Sequence, residues 1–547
     1  MQYEWKLISS LEKVFPSDAM PKAQTEGSML KNEIYSFQLV GTFQNYENFE
    51  AYFDLTIDSA LSDCISVYQV GYVPSTFPVL TDNFADDDYI TKAPGLFPDP
   101  LYKVRDGRLR LIPGQLRSFW FAVEPEGKIP AGTYPIRIKL DDREHNWHCE
   151  LTFMLEIIDA ALPKQDLLCT GWFHGDCLSV LHNTEMQSDD YFALTEKYLK
   201  IYKKFGHNMI LTPVFTPPLD TDIGGERPTN QLVDVTVTDG TYSFDFTNLK
   251  RWIGLCKSCG IEYFEISHLF TQWGAYHAPK IMATVNGSYQ KIFGWETDSM
   301  SPEYHAFLDA FLPKLKEFLT AEGVYENCLF HVSDEPHADH REQYEKVRKA
   351  LLCHIEEDRL FDALSDFSFY ENGLIRRPVV PVDVIDPFVK YAVKPLWAYY
   401  CCCQGKKVAN RFMAMPSYRN RVLGYQLYKH DIEGFLQWGF NFWFSGKSRY
   451  VIDPYADTSS GDCFPSGDAF VVYPLDKQGD VTVSLRLYVF HDALQDLRAL
   501  KLLESYIGKD AVMAMLTDIQ GFEEYPRSND ALLLLRETVN QKIKENL

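Results

Sequence analysis

From about residue 164 onward, short apolar runs alternate with long stretches of helical period, and no other feature restricts the fold of this chain as strongly. The runs at 167–172, 208–214, 263–269, 328–333, 361–364, 379–384, 396–402 and 434–442 read as buried strands. Strands separated by helix-length segments pair in parallel, because a parallel neighbour requires a crossover connection. Eight such units are the number that closes a (β/α)8 barrel of the TIM type. Amphipathic helices are expected at 191–205, 302–321 and 341–355. The connections after the second and third runs are long, and loops of that length in a compact domain usually serve function.

The first 160 or so residues follow a different rule. Runs such as Glu33-Ile-Tyr-Ser-Phe-Gln-Leu-Val-Gly and Ser118-Phe-Trp-Phe-Ala-Val have strand length and strand composition. Gly and Pro punctuate them, and the segment from Pro130 through Cys149 to Ile158 reads as a closing hairpin of a β-sandwich. After residue 450 a loop and a short β pair near 469–473 precede helices at 485–505 and 530–545. The expectation is therefore an α/β protein with a central (β/α)8 TIM-type barrel, an N-terminal all-β sandwich and a C-terminal helical extension. The domains would be 1–162, 163–508 and 509–547, with the last packed on the barrel.

At 547 residues the chain exceeds one ordinary core, which agrees with several domains. A net charge of -23 argues against nucleic acid or an anionic membrane as partner, since both demand a basic face. No apolar segment is long enough to span a bilayer, and the N-terminal Met1-Gln-Tyr-Glu-Trp-Lys lacks the pattern of a secretion signal. Most of the 12 cysteines sit in apolar runs, as free thiols of a reducing compartment do, so a cytoplasmic location is expected. Cys256-Lys-Ser-Cys259 has no second pair and reads as a helix end beside Gly260.

The fourth run ends Cys328-Leu-Phe-His-Val-Ser-Asp-Glu-Pro-His337. Barrel strands deliver catalytic groups at their C-terminal ends, and here two adjacent acids, Asp334 and Glu335, stand there. Adjacent strand residues face opposite ways, so a shared pocket demands a bend at 333–335. The plainer reading makes Asp334 a helix cap and Glu335 a solvent group. The other rim segments supply His174 and Asp176, Glu265, His268 and Trp273, Trp397 and Tyr399, and Trp438, Asn441 and Trp443. Carboxylates with aromatic faces at a barrel mouth suit glycoside cleavage, in which one acid protonates the leaving oxygen and negative charge supports an oxocarbenium-like centre.

Each candidate has a structural alternative. His174 and His268 read equally as satisfied histidines, and no metal or cofactor is implied, there being neither a phosphate loop nor a dinucleotide fingerprint. Trp273, Trp397, Trp438 and Trp443 are sugar platforms or core. Glu226 and Arg227 read as an ion pair that fixes a loop, and Glu265 and Asp383 are rival acids.

Five segments in order, His331-Val-Ser-Asp-Glu-Pro336, Trp397-Ala-Tyr-Tyr-Cys-Cys402, Gly434-Phe-Leu-Gln-Trp-Gly-Phe-Asn-Phe-Trp443, Gly467-Asp-Ala-Phe-Val-Val-Tyr-Pro474 and Ser484-Leu-Arg-Leu, resemble glycoside hydrolase family 123 and its uncharacterised relatives over roughly residues 165–505. The resemblance implies a sandwich followed by a catalytic barrel, and retaining exo- or endo-cleavage of a β-linked N-acetylhexosaminide, N-acetylgalactosamine in type, on a glycan or glycoconjugate. The nucleophile would be the substrate's own 2-acetamido group, which forms an oxazolinium ion. Glu335 would then be the general acid/base with a raised pKa, Asp334 the ionised group that orients the acetamide, and Tyr399 a donor to the acetamide oxygen. Two other readings stand beside it: a two-carboxylate glycosidase with Glu265 or Asp383 as nucleophile, and a carbohydrate-binding protein without turnover.

Overall fold

The computed structural model describes residues 2–44 and 50–547. Eight parallel strands, Leu168–Gly171, Met209–Thr212, Tyr263–Ile266, Cys328–His331, Leu360–Ala363, Arg377–Pro381, Trp397–Tyr399 and Gly434–Gln437, form a closed barrel in chain order. Closure is made by the first strand pairing with the last, Leu168 opposite Gly434 and Gly171 opposite Gln437. Met209, Leu211, Leu329, Phe361, Ala363, Val379, Trp397 and Leu436 fill its interior. Gly434 is required there, because a Cβ would overlap the Trp397 ring. Most strands are shorter than their apolar runs, since the chain leaves the ladder at the rim and continues as buried loop.

The expected regular (β/α)8 TIM-type barrel does not form. The barrel is closed and wholly parallel, but its crossovers are not a regular series of single full-length helices. After the second and third strands the chain first builds hairpins, Asp234–Thr238 with Thr241–Asp245 and Ile281–Val285 with Ser288–Phe293, which join into a separate four-stranded sheet. The fifth and sixth connections hold only Ser368–Glu371 and Asp386–Lys390 as helix. Both are short, and Gly373, Pro387 and Pro395 punctuate them, so there is room for little more than one turn. Alternation of apolar runs shows that strands are parallel, whereas the content of each crossover depends on what its neighbours leave open. The periodic helices form at Asp189–Lys204, Pro302–Ala321 and Arg341–Leu351. Ser188 and Ser301 cap the first two by accepting from the N–H groups of Tyr191 and Tyr304.

The N-terminal residues make two sheets. One has five strands in the order Glu26–Leu30, Trp147–Ile158, Gly132–Asp142, Ala51–Asp58 and Arg108–Leu111. Its longest pairing is the expected hairpin, Gly132–Asp142 against Trp147–Ile158. Phe37, between Phe121 and Phe153 at centroid distances of 5.0 and 4.3 Å, stacks the two layers together. The other sheet has seven strands, and its last two, Val481–Ser484 and Val472–Leu475, come from the far end of the chain. The first sheet system therefore does not close on itself before residue 162. The last helix, Asn529–Glu545, reaches the N-terminal sheet: Asn540 donates to the Ser28 carbonyl, Lys544 pairs with Glu156 and Arg536 with Glu33. It ties the N-terminal sheet to the long helix Leu485–Ile507 through a second arm of Arg536 to Asp496.

A buried clamp locks this continuity. Arg486 donates from Nε to Asp99 at 2.6 Å and from Nη2 at 2.9 Å, with the Tyr473 hydroxyl on the same carboxylate at 2.5 Å. Its remaining arms reach the carbonyls of Gly467 and Phe470 at 2.6 and 3.0 Å. Arg486 and Asp99 are both almost fully buried. Removing one partner strands a charge without solvent, at a cost of about 3–5 kcal/mol. Asp99→Ala should therefore lower the unfolding free energy by that amount, read as a lower denaturant midpoint at unchanged m. A loss under 1 kcal/mol would show that the clamp does not hold the two parts together.

Candidate active site

The fourth barrel strand ends at His331, and the next four residues carry the acid pair over the rim. Ser333 is pinned there, its backbone N–H shared by the two Asp362 oxygens at 3.3 Å each and its hydroxyl donating to the Thr271 carbonyl at 2.8 Å. Glu335 then takes a φ of 45°, in the left-handed region. A side chain there is strained by about 1–2 kcal/mol. That turn cancels the alternation of faces, so Asp334 and Glu335 line the same pocket. Two further lining residues, Asp220 and Trp273, share the left-handed geometry with φ of 44° and 59°. Strained backbone gathered round one cavity is a mark of a functional site.

The pocket holds about 170 Å³. Trp172, Trp273, Trp438 and Phe464 give it aromatic walls, and Leu219, Ala363, Leu436 and Tyr399 complete the apolar part. Trp438 is held by its indole N–H on Asp468 at 3.0 Å. Trp273 is fixed by its backbone N–H on the Asp334 carbonyl at 2.9 Å, with the Lys447 ammonium 3.9 Å from its ring centre.

Both acids hold their protons more tightly than ordinary carboxyls. Burial raises Asp334 well above the usual range and the Glu335 charge raises it further, against the pull of His331. Burial also raises Glu335, while the Tyr399 hydroxyl, donating to Oε1 at 2.8 Å, works the other way. The pair thus resists carrying two charges at once. Asp334 was expected to stay ionised; burial and the neighbouring Glu335 charge work against that, and the His331 charge works for it. Among the described residues no side-chain or backbone donor contributes to lowering it, whereas Glu335 has the Tyr399 hydroxyl. Tyr399 was expected to face an acetamide, and here its hydroxyl is on Glu335.

Beneath the pair runs a buried chain of charge. His331 Nε2 lies 2.7 Å from Glu265 Oε1 and its Nδ1 lies 3.2 Å from Asp362 Oδ1, with all three side chains at 0% exposure. Burial opposes a charge on His331, yet its two carboxylate partners override it and lift the group to about 9. His331 is thus an imidazolium at neutral pH, donating at both nitrogens. Glu265 also accepts from the Trp172 indole, and Asp362 from the Tyr344 hydroxyl at 2.6 Å and the Val332 N–H at 3.0 Å. His268 stacks on His331 at 4.0 Å and is held well below its ordinary pKa by burial and by that neighbouring charge.

The remaining sequence candidates separate into three groups. His174, Trp273 and Trp438 line the pocket. Asp176, Glu265, His268 and Asn441 lie buried outside its lining: Asp176 gives both oxygens to Arg227 at 2.9 Å each, and Asn441 makes two hydrogen bonds to the His174 backbone. Trp397 fills the barrel interior, and Trp443 is buried with its indole on the Val472 carbonyl. His174 is neutral, pushed down to about 3 by burial and by Arg227; it accepts from Arg227 at Nδ1 and its Nε2–H donates to the Trp438 carbonyl. The rival acids do not line the pocket. Glu265 is sealed beneath it, and Asp383 accepts from Gln404 at 3.1 and 3.2 Å.

Sequence reading missed Asp220, Arg227, Gln272 and the cysteine pair Cys401 and Cys402, all of which line the pocket. Arg227 had been assigned to its neighbour Glu226, but Glu226 pairs with Lys280 and Lys291, and Arg227 turns inward to Asp176. Asp220 is pushed up to about 6 by burial, against Arg227 and Lys447, and accepts from the Lys447 N–H at 3.0 Å. The long loop after the second strand was the available signal; which of its residues point inward was not.

Comparison with known proteins fits this geometry. No curated protein sequence matches the chain. A family 123 glycoside hydrolase from Clostridium perfringens, described for glycolipid glycan hydrolysis, superposes with a TM-score of 0.75 at 14% identity, over 100% of this chain and 98% of that one. At that identity the likeness concerns fold alone. A β-glucuronidase from Parabacteroides merdae (TM-score 0.31, 11% identity, 85% of this chain and 50% of that one) and an endo-β-1,4-mannanase from Thermotoga petrophila (0.34, 10%, 62% and 78%) are too distant to carry an argument. Residues 172–503 match the family model for the glycoside hydrolase 123 catalytic domain, a stretch that contains the acid pair and all of its pocket. The chain belongs to glycoside hydrolase family 123.

Proposed function

We propose that the chain cleaves β-linked N-acetylhexosaminides, N-acetylgalactosamine in type, with retention and by substrate-assisted catalysis. The observation that carries this reading is the acid pair itself: neighbouring residues facing one cavity, with Glu265 and Asp383 both outside it. Side chains adjacent in the chain are poorly placed to attack a sugar ring from opposite faces, as two-carboxylate retention requires. They are well placed if the nucleophile belongs to the substrate.

In this mechanism Glu335 donates its proton to the glycosidic oxygen as the C1–O bond breaks. The acetamide oxygen of the same sugar attacks C1, and the aglycone leaves as an alcohol. Asp334 accepts the acetamide N–H and faces the positive charge that develops on the oxazolinium ring. Both effects favour its carboxylate form, so substrate supports the ionisation that burial disfavours. Glu335, now a carboxylate, takes a proton from water as that water opens the ring at C1, and two inversions leave the configuration retained. Tyr399 holds Glu335 between the two half-reactions. A volume of about 170 Å³ with indole walls accommodates one saccharide unit at the acids. The Clostridium perfringens relative acts on glycolipid glycans, and a glycoconjugate of that kind is the proposed natural substrate.

Asp220 supports a second reading, because it is a third acid in the pocket and is not consumed by an ion pair with a side chain. As nucleophile it would form a covalent glycosyl ester. A 2-fluoro sugar that labels Asp220 would establish that alternative, whereas inhibition by a thiazoline analogue of the oxazolinium ion without labelling supports the acetamide route.

Two outcomes test the reading. On an aryl β-N-acetylhexosaminide, Glu335→Gln should lower kcat/KM by about 10²–10⁴-fold. Asp334→Asn should cost about 10²–10³-fold. Equal turnover of the matching glycoside without its acetamide would refute the mechanism. The pH profile of kcat/KM should be bell-shaped with both limbs above the ordinary carboxylate range. Burial raises both groups, so the loss on the alkaline side, where Glu335 gives up its proton, comes later than for a free carboxyl. Limbs at ordinary carboxylate values would show that the pair is not desolvated in solution.

A further inference from the structure

The seventh barrel strand, Trp397–Tyr399, runs out into Cys401, Cys402 and Cys403. Their three sulfurs all lie within 4.8 Å of one another, and those of Cys402 and Cys403 are 3.7 Å apart. Sulfurs bound to one ion at about 2.3 Å stand about 3.8–4.0 Å from each other. The Cys402–Cys403 pair is already close to that spacing. A disulfide would need about 2.05 Å, so the arrangement is that of separate thiols around a common centre.

The turn that presents them is held rigidly from outside. Asn410 Nδ2 donates to the carbonyls of Cys401 and Gln404, both at 2.9 Å. Gln404 Oε1 accepts the Cys401 backbone N–H at 2.9 Å, while its amide donates to Asp383. The Gly405 carbonyl accepts from the Tyr89 hydroxyl at 2.7 Å. Outer partners that fix the backbone in this way are what a coordination site needs, because they remove the ordering cost from binding.

We propose that Cys401, Cys402 and Cys403 form a three-thiolate site for a single thiophilic d10 cation. Among the described residues no histidine or carboxylate completes the group to four. A three-coordinate sulfur site fits Cu(I), with Zn(II) requiring a water as fourth ligand. Binding exchanges thiol protons for the ion, with no change of oxidation state, so affinity rises with pH as protons are released. Cys401 and Cys402 also line the acid pocket, and a cation there stands in its wall. Occupancy should therefore lower glycoside turnover; this consequence rests on the hydrolase reading, and the site does not.

The test uses the full chain, reduced and kept without oxygen, titrated in separate arms with buffered Cu(I) and with Zn²⁺. Thiolate-to-metal absorption and metal analysis after gel filtration should give one ion per chain, tighter for Cu(I). Cys402→Ser with Cys403→Ser should weaken binding by at least 10-fold, and Cys353→Ser, at an exposed thiol elsewhere, should leave it unchanged. Protection of the three thiols from alkylation, read by peptide mass on the unmodified chain, gives the same answer without relying on a variant that folds. No stoichiometric binding, or binding that survives the double substitution, overturns the proposal. Absent turnover in the metal-free chain would count against the hydrolase reading alone, since the titration uses no substrate.

Discussion

The positive charge on His331 is the interaction on which the site depends. Glu265 and Asp362 flank it at hydrogen-bond distance, and Asp334 feels it through the barrel rim. Without that imidazolium, buried carboxylates would crowd one end of the barrel with no compensating charge, an arrangement that a low-dielectric interior does not tolerate. With it, each inner acid has a cationic partner at hydrogen-bond distance. The protonation of the acid pair is therefore coupled to a charge placed one layer deeper.

The same logic recurs at the other side of the pocket. Arg227 is clamped by Asp176 and lies 5.4 Å from the Phe442 ring, so a guanidinium that lines the cavity is held by partners behind it. Both charged groups are almost fully buried. Buried pairs of this kind contribute little net stability but punish any rearrangement, which suits a site whose geometry must not drift. The clamp of Arg486 on Asp99 extends this rigidity outward, fastening the helix that follows the barrel to the N-terminal sheet. The three cysteines sit on that framework as well, on a turn braced against residues near 89.

Much of the outline was legible in the residue order. The eight apolar runs all became barrel strands, because a run buried on both faces has few other fates. The acid pair was visible because Pro336 ends the run directly after two carboxylates. What was not legible were the crossovers, where short Gly- and Pro-marked segments left single helical turns in place of full helices. Nor was the fate of the tryptophans: Trp397 and Trp443 differ from Trp438 in burial, not in sequence context. Arg227 illustrates the same difficulty, since its neighbour Glu226 was the obvious partner and the actual one lies 51 residues away.

By itself, then, the sequence determined which residues become barrel strands, that two acids follow the fourth of them, and the family to which the chain belongs, since ordered motifs and hydrophobic period are local properties. Tertiary structure alone decided that Glu335 turns left-handed so that both acids meet, that His331 is charged, that Asp220 and Arg227 reach the pocket, and that the seven-stranded sheet borrows strands from the other end of the chain. Those outcomes depend on contacts between residues far apart in order, and on how completely such contacts exclude water. Neither quantity is written in any short stretch of the chain.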